Sequence, residues 1–321
     1  MTAPAPAQRP LVLSEAEVAQ LLDPEQLLDR LAEAFVIVSE RRASIPPRPA
    51  ASAPRGMLSV MPGFLPGVGL GCKQVTIYPQ NEERGLPSHL ATISLFDEET
   101  GELRCVMDGT HITTARTAGG SAVSTRLLAR EDASILAVLG AGVQGAAHLG
   151  AIPLVRDIAE IRVASRTFAH ADRLAASDPR AHAVASFEAA VRGADVVCCC
   201  TNTPNPILDW SWLGRGTHAT SVGFNVYGPE LDAATVERGH LFVETIDAFQ
   251  PPPAGCYELQ HLDPSHGTEL GLVLAGKAEA RRSPEEVTVY RSMGHAAEDL
   301  AAARLAFDHA LEQRVGTRVA L

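Results

Sequence analysis

The sequence predicts an α/β protein in which a doubly wound parallel-sheet domain is joined to an α+β domain assembled from both chain ends. Three observations carry this. From residue 135 onward, apolar strand-like runs alternate with helical stretches at the spacing of βαβ units. Between Pro46 and about Val106 the texture is β-rich instead, with short runs punctuated by Gly, Pro and Asn as in an antiparallel block. The last long segment, "AEDLAAARLAFDHALEQR", is an amphipathic helix able to return to that block. With 321 residues the chain divides naturally in two. The expected division is residues 1–115 with 300–321 as one domain and 116–299 as the other.

Taken in order, "MTAPAPAQRP" has no basic region followed by an apolar one and reads as a frayed tail rather than a targeting segment. Residues 14–40 are helical in period, with Ser14 and Glu17 spaced as a capping box and Pro24 dividing the stretch into two helices. The runs "MLSVMP", "GLGCKQVTIYP", "SHLATISLFD" and "LRCVMD" are strands, the last two joined by a turn at Asp97–Gly101. The stretch "ITTARTAGGSAVSTRLLA" is a helix. Beyond it "SILAVLG", "IAEIRVAS", "HAVAS", "DVVCCCT", "HATSVGF" and "LFVET" alternate with helical segments. The window Ile135–Val155 is apolar, but its four glycines, Gln144 and His148 suit a strand followed by a helix, not a membrane span.

Composition narrows the function. Apolar residues make up 46 % and charged ones 20 %, an ordinary globular profile, and the formal charge of −11 opposes a nucleic-acid partner. Six cysteines include the triplet Cys198–Cys200, which in an extended strand cannot pair internally and reads as buried small hydrophobes in a reducing, cytoplasmic setting. Cys256, His261 and His266 match no zinc spacing, and no metal is expected. His111 is expected to be a hydrogen-bonded structural histidine, and Cys72 a core residue.

Gly140-Ala-Gly142-Val143-Gln144-Gly145 follows an apolar strand and opens a helix, the context that gives GxGxxG its meaning as a dinucleotide-binding (Rossmann) turn. Gly140 permits the tight turn, Gly142 lets a pyrophosphate reach backbone amides, and Gly145 lets helix and strand pack closely. The helix N-terminus favours the phosphates. At the end of the next strand, where an NAD site offers a carboxylate to the ribose, stand Ser165, Arg166 and Thr167. A cation flanked by hydroxyls suits a 2′-phosphate, so NADP(H) is favoured, with NAD(H) retained. Thr201, Val222 and Gly223, ending later strands, are expected to meet the nicotinamide half.

On the substrate side, Lys73 sits inside an apolar strand, where an ammonium needs a partner or an anionic ligand. Arg48 in "PPRPA" and Arg116 in "TTARTAGG" are further cations in uncommon places. A snorkelling strand lysine is the bland reading.

The succession "GCKQVTIYPQN", "GLPSHLATISLFDEETGELRCVMDGTHITTARTAGGSAVSTRLLA", "AVLGAGVQGAAHL", "ELGLVLAGK" and "VTVYRSMGHAAEDLAAA" resembles the ornithine cyclodeaminase/μ-crystallin family over nearly the whole chain and in the same order. The resemblance implies a substrate-binding and dimerisation domain built from both termini, a Rossmann domain, a homodimer, and nicotinamide chemistry at an amine, imine or keto-acid centre. It further implies that Arg48, Lys73 and Arg116 surround a substrate carboxylate, that Arg116 and Thr117 of the "RTA" motif border the cofactor, and that Ser292 lies near the cofactor amide. Members of the μ-crystallin type share the Arg-Thr pair after the second strand and prefer the phosphorylated cofactor.

Two departures stand out. Where ornithine-converting members carry a glutamate before Met-Pro and an aspartate in the loop after a late strand, this chain has Ser59 and Asn225. An amide does not titrate near neutrality, so Asn225 orients a nitrogen without taking its proton, and the loss of two anions disfavours a cationic diamine. The expectation is an NAD(P)H-dependent reductase of a ketimine or imine, or an amino-acid dehydrogenase, with Lys73 and Asn225 at the reacting nitrogen and Ser59 in the substrate pocket. The alternatives are an ornithine or lysine cyclodeaminase with bound NAD and a non-catalytic ligand-binding protein. Phe224, Tyr227 and Met57 suggest an apolar substituent on the substrate.

Overall fold

The computed structural model describes residues 9–320, so most of the expected N-terminal tail lies outside the described residues. After a short strand β1 (Leu11–Leu13), Ser14 caps α1 (Glu15–Leu21) through the expected box: its hydroxyl accepts from the Glu17 amide at 3.4 Å, and its own amide donates to the Glu17 carboxylate at 2.8 Å. Pro24 then opens α2 (Pro24–Ser39), where a first-turn proline loses no helical hydrogen bond.

The β-rich block forms β2 (Ala50–Ala53), β3 (Gly56–Leu65), β4 (Gly69–Ile77), β5 (His89–Phe96) and β6 (Leu103–Asp108), paired antiparallel in sequence order, with β1 added parallel to β6. Period-two alternation decides what each face carries. On the buried face Lys73 lies in register between Met61 of β3 and Ile93 of β5. The opposite face is partly open, with Leu58, Leu70 and Leu90 exposed. Cys72 belongs to that open face and is only half-buried, which corrects its expected core placement: the last helix of the chain packs on the Lys73 side, where its Leu300 lies against Gly63 and Gly71.

Helix α3 (Thr110–Leu128) leads on to the parallel sheet: β7 (Ile135–Leu139), α4 (Val143–Ala151), β8 (Glu160–Ala164), α5 (Phe168–Ala175), β9 (Ala181–Ala183), α6 (Phe187–Val191), β10 (Val196–Cys199), β11 (His218–Ser221), α7 (Ala233–Arg238), β12 (His240–Val243), β13 (Gly267–Glu269), α8 (Leu270–Leu274) and β14 (Thr288–Arg291). The strand order β13-β12-β14-β11-β10-β7-β8-β9 runs outward in both directions from β7 and β10, which makes their carboxyl ends the switch point of a doubly wound sheet. The triplet Cys198–Cys200 is buried; burial pushes the Cys198 thiol up to about 12, so these are inert packing groups. His148 and His218 are also buried, and burial lowers them to about 4 and about 3, so both stay neutral. Strands β13 and β14 lie outside the runs read as strands from the sequence pattern.

The chain ends with α9 (Ala296–Gln313), which packs on β3, β4 and β5, and β15 (Thr317–Arg318), paired with β1. Two compact units result. Among the described residues, the first comprises the chain to Ile37, Arg41–Arg116 and Ala296 onward; the second comprises Val38–Glu40 and Thr117–His295. The second crossing thus falls at Ala296, four residues before the expected 300, because α9 is one continuous element that belongs to the first unit throughout. Its first turns are buried on all sides, unlike the amphipathic stripe read from the sequence.

Candidate active site

In the first unit, the cross-strand partners Gly63 and Gly71 form a notch for α9. A Cβ on either would lie 3.1 or 2.5 Å from the Leu300 side chain. Seating Leu300 there brings the preceding Asp299 onto Lys73, two residues along β4 from Gly71. The Lys73 ammonium lies 2.8 Å from each oxygen of the Asp299 carboxylate and 3.4 Å from the Thr113 hydroxyl. Arg116 donates to the same Asp299 through Nε at 3.0 Å and to Glu298 at 3.3 Å. Lys73 and Arg116 are 2 % and 5 % exposed and both carboxylates are fully buried, so these pairs are shielded from water.

Burial pulls Lys73 down to about 8, Asp299 opposes that pull, and Arg116 and Arg48 add to it. Asp299 is held below the ordinary carboxylate range: burial works against its charged form, but the facing Arg116 and Lys73 outweigh it. The half-buried Arg48 therefore joins Lys73 and Arg116 electrostatically, so the structure brings together the three cations expected from the sequence. Ser59 lies on the same sheet face, paired in register with Val75, and its hydroxyl donates to the Pro49 carbonyl at 3.4 Å rather than to the cluster. His111, near the start of α3, makes no side-chain hydrogen bond among the described residues, contrary to the structural role expected of it.

In the second unit, Gly140 adopts φ +113°, and a Cβ on Gly145 would fall 1.9 Å from the Gly140 carbonyl oxygen, so both positions require glycine. Gly142 differs: a Cβ there would meet nothing within 4 Å, and Gly142 caps α4 without a side-chain hydrogen bond. Helix amides thus open onto clear space beside exposed Val143, and the buried side-chain oxygen of Gln144 has no partner among the described residues. This is the cradle a dinucleotide pyrophosphate fits. Just past β8, Ser165 is half-buried, Arg166 and Thr167 are exposed, and Arg166 pairs with none of the described residues.

Two buried carboxylates that sequence reading missed shape the loops beyond β10, β11 and β14. Glu230 accepts from the Thr201 amide at 2.6 Å, the Thr201 hydroxyl at 2.7 Å, the Ser221 hydroxyl at 2.7 Å and the Gly223 amide at 2.8 Å. Because Glu230 takes the Ser221 hydroxyl and the Gly223 amide, β11 ends at Ser221; Val222, Gly223 and Phe224 are loop, not the strand end expected of them. Glu244 accepts from the Ser292 hydroxyl and from the amides of Met293 at 3.0 Å and Gly294 at 3.2 Å. Asn225 folds into an Asx turn, its side-chain oxygen accepting from the Tyr227 amide at 2.8 Å, which leaves its NH2 as the available polar group. Tyr227 is 83 % exposed. Thr117, the first residue of this unit in α3, is buried.

The model of the ornithine cyclodeaminase/mu-crystallin family matches residues 8–314. The chain belongs to this family. Among its relatives, the mouse (Mus musculus) ketimine reductase mu-crystallin is 36 % identical over 257 residues, spanning 79 % of this chain and 80 % of that protein. The structure of Thermococcus litoralis Δ1-pyrroline-2-carboxylate reductase in complex with NADH and L-proline matches with a TM-score of 0.90 at 32 % identity, covering 96 % of this chain and all of that one. An archaeal alanine dehydrogenase dimer with bound NAD matches with a TM-score of 0.91 at 27 % identity, covering 98 % and 99 % of the two chains. As a family member, this chain has the mixed α/β, two-unit architecture of these neighbours. Among the described residues no helix is long and apolar enough to cross a membrane, and no group of three or more His, Cys, Asp or Glu is arranged to hold a metal.

Proposed function

We propose that this chain is an NAD(P)H-dependent reductase of carboxylate-bearing ketimines or imines, with reductive amination of a keto acid included and amino-acid oxidation as the reverse reaction. The gathering of cations around Lys73 carries the reading. Buried Lys73 and Arg116 converge on Asp299, and Arg48 is close enough to act on Lys73 electrostatically, a cluster whose chemistry suits the carboxylate of an amino-acid-like substrate. Uncharged Ser59 and Asn225 offer no carboxylate to a second ammonium, which disfavours a diamine and with it the cyclodeaminase reading.

A bound nicotinamide dinucleotide supplies the hydride. The residues of this chain do the rest. Arg48 and Arg116 hold the substrate carboxylate, which fixes the carbon that is to be reduced. Lys73, lowered to about 8, is largely protonated at neutral pH yet able to give up a proton, and donates it to the imine nitrogen as that nitrogen becomes an amine. The free NH2 of Asn225 orients the same nitrogen without titrating. Gly140, Gly142, Val143, Gln144 and Gly145 cradle the pyrophosphate, and Thr117, Thr201, Val222, Gly223 and Ser292 border the rest of the cofactor. Arg166, exposed and unpaired beside Ser165 and Thr167, supports a preference for NADPH through its 2′-phosphate, with NADH as a slower substitute.

The open sheet face with exposed Leu58, Leu70 and Leu90 supports a homodimer, and six free cysteines support a cytoplasmic setting. The test is a spectrophotometric panel of cyclic ketimines and keto acid/amine pairs with NADPH and NADH side by side. Steady NADPH oxidation is expected. A wide margin in favour of NADH would overturn the role of Arg166. Ammonia release from ornithine or lysine without added reductant would overturn the reductase reading, and no turnover at all would favour a binding protein.

A further inference from the structure

We propose that Asp299 is a positioning residue for Lys73: its carboxylate holds the buried ammonium protonated and aimed, and sets its spacing from Arg116. The geometry behind this is a single oxygen, Oδ1, that accepts from Lys73 Nζ at 2.8 Å and from Arg116 Nε at 3.0 Å, tying two substrate-facing cations to one point. The second oxygen lies 2.8 Å from Nζ as well, adding charge attraction from the same carboxylate though it makes no hydrogen bond among the described residues. The carboxylate is seated by packing, because the next residue of α9, Leu300, fits closely against Gly63 and Gly71.

The choice of cation sharpens the inference. Of the 27 basic Lys and Arg side chains, only Lys73 and Lys277 are lysines. Among the buried strand cations Arg291 is of the common type and Lys73 of the minority type, and lysine, unlike arginine, can surrender a proton. Burial alone would drive that proton off. The charged groups facing Nζ are Asp299 from α9, Arg116 from α3 and Arg48 from the segment before β2, while Glu298 engages Arg116. The flanking strands present Met61 and Ile93, which do not titrate. Asp299 is thus the group that opposes both desolvation and two like charges. Remove it, and Lys73 should be neutral at the pH where the reductase needs it charged.

This inference rests on the reductase reading for its consequence, but it has a direct readout that does not depend on turnover. With only two lysines, protein carrying ε-13C lysine gives two side-chain resonances, and Lys277→Arg assigns them. In the unaltered protein the Lys73 signal should be that of the ammonium at pH 7 and should titrate near 8. In Asp299→Asn its midpoint should fall by at least one pH unit, and the alkaline limb of kcat/KM for imine reduction should move with it. Asp299→Glu should restore most of that limb while keeping a reduced kcat. NADPH affinity, read by fluorescence quenching, should stay within twofold in both variants, because the cradle belongs to the other unit. A folded Asp299→Asn protein with an unmoved Lys73 midpoint overturns the proposal. If that variant does not fold, a Lys73 already neutral at pH 7 in the unaltered protein overturns it, and an ammonium signal titrating near 8 supports it. A moved midpoint without any imine reduction would leave the positioning role standing and refute the reductase reading instead.

Discussion

Replacing Glu230 with glutamine probes how the cofactor-side loops are held. The carboxylate accepts four hydrogen bonds, two from backbone amides and two from hydroxyls, at 2.6 to 2.8 Å, and is buried. A glutamine side chain keeps one accepting oxygen. Its NH2 then faces one amide and one hydroxyl; the hydroxyl can rotate to accept, but the amide cannot. One buried N–H is left without a partner, at about 1–3 kcal/mol, and the remaining bonds lose their charge assistance at about 1 kcal/mol each. The expected loss is about 3–5 kcal/mol, equivalent to a drop of roughly 8–15 °C in the melting transition of a unit of this size. Scanning calorimetry measures that drop, and fluorescence titration should give an NADPH Kd raised about tenfold or more as Thr201 and Gly223 loosen. A variant that melts within 2 °C of the parent with unchanged Kd would refute the idea that Glu230 builds this half of the site.

Other outcomes follow from the same geometry. With Lys73 lowered to about 8, its proposed role as proton donor predicts that imine reduction is flat below that pH and declines above it, while amino-acid oxidation, which needs the neutral Lys73 amine, rises through the same region; parallel pH profiles check both signs. Gly71→Ala places a methyl 2.5 Å from the Leu300 side chain and should cost about 1–3 kcal/mol in urea denaturation while lowering kcat, since α9 also carries Asp299. Asn225→Asp retains an oxygen for the Tyr227 amide, so the loop and NADPH Kd should persist while the amine preference or pH profile changes; no change in either would mean that Asn225 does not reach the substrate.

How much of this was legible in the sequence depends on the range of the constraint. The GxGxxG turn could be read because strand, glycines and helix are contiguous, and the structure gives Gly140 and Gly145 the roles that glycine alone can fill. Lys73 could be read because an ammonium in an apolar strand is anomalous whatever surrounds it. Its partner could not: Asp299 lies 226 residues away, in a helix whose acidic first turn looks like any solvated N-terminus. Glu230 and Glu244 were hidden for the same reason, each serving donors on distant segments. Cys72 was misjudged because alternation separates two faces without saying which one a helix will cover. Strand β14, although central in the sheet, is a four-residue run with no alternation to mark it.

The most direct test of the central claim follows the hydride itself. NADPH carrying deuterium at the transferable position of its nicotinamide is incubated with the enzyme and a cyclic ketimine carboxylate, and the product is analysed by mass spectrometry and NMR. Imine reduction predicts one deuterium, on the α-carbon of the resulting amino acid, in stoichiometric step with NADPH consumed. An amino acid formed without deuterium at that carbon, or ammonia released from a diamine with no net consumption of NADPH, would contradict it.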